Sequence, residues 1–413
     1  MKYFLVFSAF CITIGTASAK NLIVGPGQSF QVIQEAINAA SNYDTVIVKK
    51  DNYNQHSIIV DKPLYILGQN WPEINAHLKE VDIFIIAADS VTLEGFVLSN
   101  VGVSYLKEYA AVKVRKSRFG RIHENQIRRC FFGIYLEYAS HFRIEDNKIY
   151  GGASDEASAG NAVHVWKADH IDINSNIVTG HRDGIYLEFT DKSQIRGNQS
   201  IDNIRYGLHF MFSNDNQYLN NEFQNNGAGV AVMFSKRIQM RENLFTKNWG
   251  GASYGLLLKE ISDGEISGNR FVDNTKGILA EGANRLLIAD NQFVSNGTAL
   301  DIKGNCLDNR VTNNNFLANT FDVVTNTRYN SNVYNSNYWS AYYGYDLDRD
   351  GTGDVPFRPV NIFARVTNEI PIATIMLHSL FINMLELGEK IFPEIIPPEL
   401  VDKNPRMSPY SND

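Results

Sequence analysis

Two histidines and two methionines in this chain are spaced so that they could act together. In RYGLHFMFSNDN (205–216), His209 and Met211 are separated only by Phe210, and Met233 lies further along the chain. Imidazole and thioether form a soft donor set that suits a monovalent copper ion, Cu(I). On an extended strand, residues i and i+2 point the same way. His209 and Met211 then share one face, and Leu208, Phe210 and Phe212 take the opposite, apolar one. His164 and Glu188 are further candidate ligands in the same register. Whether Met233 can join them depends on an architecture that brings its position over that of Met211.

The chain supplies a period that would do so. Asn125, Asn147, Asn176, Asn198, Asn221, Asn243, Asn269, Asn291, Asn314 and Asn337 each precede an apolar residue, in steps of 22, 29, 22, 23, 22, 26, 22, 23 and 23. The shortest of these steps is also the interval from Met211 to Met233. A recurring period of this length marks a stacked array. The motifs FGIYLEY, DGIYLEF, YGLHFMF and AGVAVMF alternate with period 2, which is strand and not helix. The expected fold is all-β, a right-handed parallel β-helix with coils of about 22–23 residues. Asn at the turns is expected to adopt the left-handed conformation and to bond to the Asn of the next coil. The long steps are insertions, one of them the small polar loop Gly151 to Ala162. Ser29 to Ala40 reads as an amphipathic helix, with Ser29 as its N-cap, that closes the open end. Thr45–Val48, Ser57–Val60 and Leu64–Leu67 read as the first coils, and the solenoid is expected to finish near Trp339.

One register applied to successive coils gives the outward pairs Tyr135/Glu137, His164/Trp166, Tyr186/Glu188, His209/Met211, Ala231/Met233, Leu257/Lys259 and Leu279/Glu281, with Ile185, Leu187 and Phe189 inward. Met211 and Met233 are then directly superposed. An exposed stripe of this composition calls for a partner or ligand. Three readings stand: ordinary packing beneath a covering loop, a Cu(I) site, or an aromatic track for sugars. Coil edges of β-helices also carry polysaccharide lyase and epimerase chemistry, for which His181, Asp183 and Glu188 are the acid/base candidates. Against that chemistry, Lys259 is the only basic residue among the outward pairs.

Composition sets the compartment. The 413 residues are 44% apolar, enough for a large core. Lys2, the apolar run Tyr3 to Ile14 and Ala17-Ser18-Ala19 read as a signal peptide over 1–19. The net charge of −7 argues against a nucleic-acid partner. No later segment is apolar for long enough to span a bilayer. Cys130 and Cys306 are expected to stay separate thiols, because roughly eight coils at about 4.8 Å each put them near 38 Å apart.

Beyond the solenoid (20–345) the sequence predicts an Asp/Gly turn and cap (346–371) and a helical, Pro-rich tail (372–413). Asp346, Asp348, Asp350 and Asp354 copy part of a calcium loop, but position 12 is Phe357 and not Glu, so a turn bonded to backbone amides is the competing reading. In the tail, Leu377, Leu380, Phe381, Met384, Leu385, Ile391 and Phe392 follow helical spacing. That face is expected either to fold back on the coil or to dock on a membrane partner. Deletion after Pro371 is expected to leave the fold intact.

The sequence resembles the NosD family. The resemblance lies in YGLLLKEISD (254–263), GILAEGANR (277–285), GNCLDN (304–309), NTFDVVTN (319–326) and NYWSAYYGYDLDRDGTGDVPFRP (337–359) followed by HSLFINMLELGEKIFPEIIPPEL (378–400). It implies a periplasmic, non-catalytic β-helix protein that serves the maturation of nitrous oxide reductase. The implied partners are an ABC transporter (a membrane subunit and its ATPase), the reductase, and a periplasmic copper chaperone. The cargo implied is copper, and the tail is expected to dock on the membrane subunit. The resemblance carries over no ligand set, so His209, Met211, Met233, Glu188 and His164 rest on the stripe alone.

Overall fold

The computed structural model describes residues 19–327, 331–360 and 400–411, and between them only 363, 366, 371–377, 379, 380, 382, 384, 385 and 388. All but the last position of the expected signal peptide lies outside this set. Alternating apolar residues wind the chain into a parallel solenoid of three sheets. The first sheet has 14 strands, the second 13 and the third 12, and within each sheet every neighbour is one coil away in sequence. Ile134, Leu136, Val163, Val165, Ile185, Leu187, Leu208, Phe210, Val230 and Val232 are fully buried from the third sheet. On the second sheet Phe245, Phe271, Phe293 and Phe316 stack with ring centroids 4.6, 4.9 and 4.9 Å apart, and Trp339 ends the column at 4.1 Å.

The ten periodic asparagines form one continuous ladder. Each backbone N–H, from Asn125 to Asn314, donates to the side-chain oxygen of the next rung at 2.9–3.0 Å. The left-handed residue is not the Asn but the one before it, as at Glu124, Asp146, Asn220 and Asp290. That residue turns the corner on the surface, and the Asn behind it is buried and satisfies the turn's amides. A second ladder, Asn203 to Asn319, runs along the next corner. Glycine in the third-sheet motif has a steric cause: a Cβ at Gly229 would strike the Gly255 carbonyl oxygen.

Several local expectations need correction. The capping helix is Ile33–Ala39, and its end is fixed not by Ser29 but by Gln55, whose side-chain oxygen accepts from Ile33 N at 2.9 Å. Asn21–Val24 already pairs with Thr45–Lys49, and Ile58–Val60 belongs to a different sheet from Tyr65–Gln69, so the three early runs are not three coils. Phe189 and Phe212 do not point inward. Both are left-handed (φ 50° each) and exposed, because the chain turns the corner immediately after Glu188 and Met211. With Phe234 they form an external stack at 5.1 Å intervals.

The solenoid ends at Tyr338–Trp339, and residues 400–411 return to close it. Asp402 takes the rung after Asn337, accepting from Ser336 N, Asn337 N and Nδ2, and Trp339 Nε1 at 3.0–3.1 Å. Tyr410 exchanges bonds with Asn315 at 3.0 Å in both directions. Cys130 and Cys306 are buried free thiols. Among the described residues, no helix is long and apolar enough to cross a membrane.

Candidate functional site

The outer face of the third sheet carries two columns in the expected register. The first runs Lys113, Tyr135, His164, Tyr186, His209, Ala231, Leu257, Leu279; the second runs Arg115, Glu137, Trp166, Glu188, Met211, Met233, Lys259, Glu281. Met211 and Met233 are Cα partners in adjacent coils, and Glu188 is the partner above Met211. Both sulfur-bearing side chains lie outside the apolar interior and are half-buried.

His209 is nearly covered, at 6% exposure. Tyr186 and Tyr206 meet its ring edge to face at 4.8 and 4.9 Å. Its Nδ1 stands 3.6 Å from Asp183 Oδ2, just beyond a close hydrogen bond, and Nε2 is buried without a hydrogen-bond partner. Asp183 is fully buried and held by Arg205, Nε at 2.9 Å and Nη2 at 2.5 Å. Burial works to raise the Asp183 carboxyl, but His209 and Arg205 beside it outweigh burial and leave its pKa below the ordinary carboxylate value. A carboxylate facing one imidazole nitrogen is the arrangement that orients a metal-binding histidine. Arg205 follows Asp183 by one coil, so the period itself was the signal for this pair.

His164 does not join His209. The ring of Tyr186 lies between them, 4.7 Å from His164 and 4.8 Å from His209. His164 stacks on Tyr135 at 4.4 Å, its Nδ1 is 3.0 Å from Asn161 Nδ2, and burial, then Arg182, pushes its pKa down to about 3. It is three coils from Met233, roughly 14 Å, too far to share an ion. Register leaves Glu188, His209, Met211 and Met233 on three successive coils of the outer face. Tyr186, pushed up to about 12 by burial and then by Glu188, remains a phenol and donates to Met211 Sδ at 3.9 Å.

Packing by neighbouring segments accounts for part of the stripe. Tyr254, from the 247–255 excursion, packs with Ala231 and Leu257, and Phe132 packs with Tyr135. The second column stays half-buried from Glu137 onward, with Arg115 exposed at its head. Basic residues are closer than the outward pairs implied: Lys113 and Arg115 head the columns, and Arg205 enters from the corner.

The acid/base candidates do not assemble around solvent. His181 is buried at the head of the second asparagine ladder, its backbone N–H bonded to Asn203 Oδ1 at 3.2 Å. Asp183 is buried against Arg205, and Glu188 is half-buried on the outer face. In the Asp/Gly turn, Asp346 accepts from Arg349 N (2.6 Å) and Gly351 N (2.9 Å), Asp350 from Thr352 N (2.6 Å) and Asp354 from Leu347 N (2.7 Å). Asp348 takes a longer bond, 3.4 Å, from Asp350 N. The amide-bonded turn is thus formed, although Asp346, Asp348 and Asp350 also keep ligand oxygens within 4.8 Å of one another.

The tail divides its apolar residues between two sides. Ile382, with Leu377 and Leu385, packs on Phe321, Val324 and Phe363, whereas Leu380 and Met384 are 77% and 65% exposed. Ile382 was not among the expected contacts. Phe381, Ile391 and Phe392 lie outside the described residues.

The three-sheet solenoid with this outer stripe defines a parallel β-helix protein. An Azotobacter vinelandii mannuronan C-5 epimerase module (14% identical, TM-score 0.55, covering 74% of this chain and 87% of that one) and the Dettilon tailspike protein (13%, TM-score 0.58, 72% and 65%) share the fold. Residues 151–344 match the family described as periplasmic copper-binding protein (NosD). The chain is 27% identical over 370 residues to a Pseudomonas aeruginosa protein named "Probable ABC transporter binding protein NosD", covering 85% of each. It is 27% identical over 343 residues to a Stutzerimonas stutzeri protein of the same name, covering 78% of each. That match takes in just under half of the chain, and the periplasmic location expected from the sequence is the one given in that family's description.

Proposed function

We propose that this protein is a periplasmic accessory factor for nitrous oxide reductase maturation, which holds Cu(I) transiently on its outer stripe and passes it on in company with an ABC transporter. The superposition of Met211 on Met233 beside His209 carries this reading. The family's description as copper-binding supports it, as does the relatives' name as ABC transporter binding proteins. Two half-buried thioethers and one covered imidazole make a soft donor set, reached from the thioether side, that could exchange its ion, and Asp183 faces the imidazole. Copper is cargo here, so no catalytic step is assigned. The reductase and a periplasmic copper chaperone are the acceptor and donor that such a site requires. The exposed Leu380 and Met384 are the docking residues toward the membrane subunit. The amide bonds of the Asp346–Asp354 turn favour the reading without calcium, while the grouped oxygens of Asp346, Asp348 and Asp350 keep a calcium-bound turn as its alternative.

The deciding experiment is a Cu(I) competition titration of the purified protein against the Met211→Ala, Met233→Ala double variant. Loss of tight binding in the variant is expected; unchanged affinity eliminates this site. A rigid adaptor without metal is the second reading, favoured by the Tyr186 hydroxyl already spent on Met211 Sδ; it predicts no Cu(I) binding above background. The sugar-enzyme reading predicts turnover of a uronate polymer, lost in Asp183→Asn, and the complete burial of Asp183 speaks against it.

A further inference from the structure

A second group of donors lies around the corner from the stripe. His141 and His170 follow the strand ends of adjacent coils, where both adopt the left-handed conformation (φ 52° and 53°). The ladder that spaces the coils therefore spaces the rings, which stack 4.6 Å apart with planes 7° from parallel. Asp169 Oδ1 stands 2.6 Å from His170 Nδ1. One nitrogen from each ring and a carboxylate oxygen lie within 4.8 Å of one another. Phe119 covers the far side of His141 at 5.1 Å.

We propose that His141 and His170, with Asp169 holding His170, form a surface site for a divalent ion of borderline softness, Zn²⁺ or Cu²⁺. Both rings are exposed, and two imidazole nitrogens on one such ion stand about 3.3 Å apart when each bond is about 2.0–2.1 Å. The rings now lie nearly parallel, so binding requires their planes to tilt toward one another until both nitrogens point at the ion, which the exposed corner leaves room for. The carboxylate on Nδ1 fixes the tautomer of His170 and leaves Nε2 as the donor. The neighbouring corner stack, Phe189 on Phe212, has the same geometry without donors, so stacking alone does not call for histidine or for the aspartate. The group contains no sulfur, so it selects Zn²⁺ and Cu²⁺ over Cu(I). It is thereby independent of the thioether site, and different probes address the two.

The test titrates the purified protein with Zn²⁺ by calorimetry and records Cu²⁺ electron paramagnetic resonance spectra. One tight equivalent and hyperfine coupling to two imidazole nitrogens are expected. His141→Ala combined with His170→Ala should abolish both signals, and Asp169→Asn should weaken binding about 10–100-fold. The Met211→Ala, Met233→Ala protein should bind Zn²⁺ as the parent does. Zn²⁺ binding that persists in the double histidine variant, a Cu²⁺ spectrum with fewer than two nitrogens, or no binding by the parent protein would each overturn the proposal. The three side chains are exposed, so folding of the variants is checked simply by their unchanged thermal unfolding.

Discussion

His209 Nδ1 faces the Asp183 carboxylate at 3.6 Å, and Arg205 closes on the same carboxylate from one coil further on. The triad fixes the ring from behind, so its contribution to binding is separable from that of the thioethers. Asp183→Asn is expected to lower Cu(I) affinity about 10–100-fold through loss of ring orientation. It should also destabilise the protein by roughly 2–3 kcal/mol, less than for a fully buried pair, because the Arg205 side chain keeps 31% of its surface in solvent. Competition titration and urea unfolding read the two effects. A folded variant that binds copper as tightly as the parent contradicts the orienting role.

Acidity should act on the covered histidines. Burial holds His164 near 3 and His181 near 4, both below the ordinary imidazole value. A base with a depressed folded pKa contributes stability that is complete above its unfolded value and lost as pH falls below it. Unfolding midpoints are therefore expected to drop progressively below about pH 6.5. Asp322 has the opposite sign, since burial raises it to about 6 and its penalty is relieved on acidification. His181→Asn, which extends the second asparagine ladder by one rung, should flatten the acid limb; an unchanged acid limb would count against this account.

The end of the solenoid should depend on one carboxylate. Asp402→Ala strips the partners from the Asn337 amide and side chain and from the Trp339 indole, all buried. A loss on the order of 3 kcal/mol is expected from buried donors left unsatisfied, and denaturant unfolding measures it. For the same reason, truncation after Pro371 should not leave an intact fold as the sequence suggested, because it removes the cap. Removal of 372–399 with a short linker to Leu400 is the cleaner deletion.

The two sides of the tail should respond differently. Ile382→Ala removes a packed side chain and should cost about 2–4 kcal/mol of local stability, seen as faster hydrogen exchange in the tail. Leu380→Asp with Met384→Asp alters only exposed positions and should leave exchange unchanged while abolishing co-purification with transporter membrane components. Retained co-purification in that variant would remove these two residues from the docking surface.

Much of this architecture was legible because strand alternation and coil period are one-dimensional signals. Positions one period apart had to superpose, and the Met211/Met233 pairing followed directly. The failures came where the backbone leaves the strand. Phe189 and Phe212 continue the alternation in sequence, but one left-handed residue turns them outward. The separation of His164 from His209 was already implied by the register, which puts Tyr186 in the coil between them, and the structure fills that gap with its ring. Asp402 could not be foreseen, since it replaces an asparagine from 65 positions beyond the last rung.

Phe357 and Asp402 exchange paired backbone bonds of 2.9 Å. That pair ties the described residues on either side of the tail to the same place at the end of the rod, and Ile382 adds a packed contact with Phe321 and Val324. The coils are hydrogen-bonded to one another along all three sheets, so a force applied where Phe357 meets Asp402 would be passed along the rod, which would act as one lever.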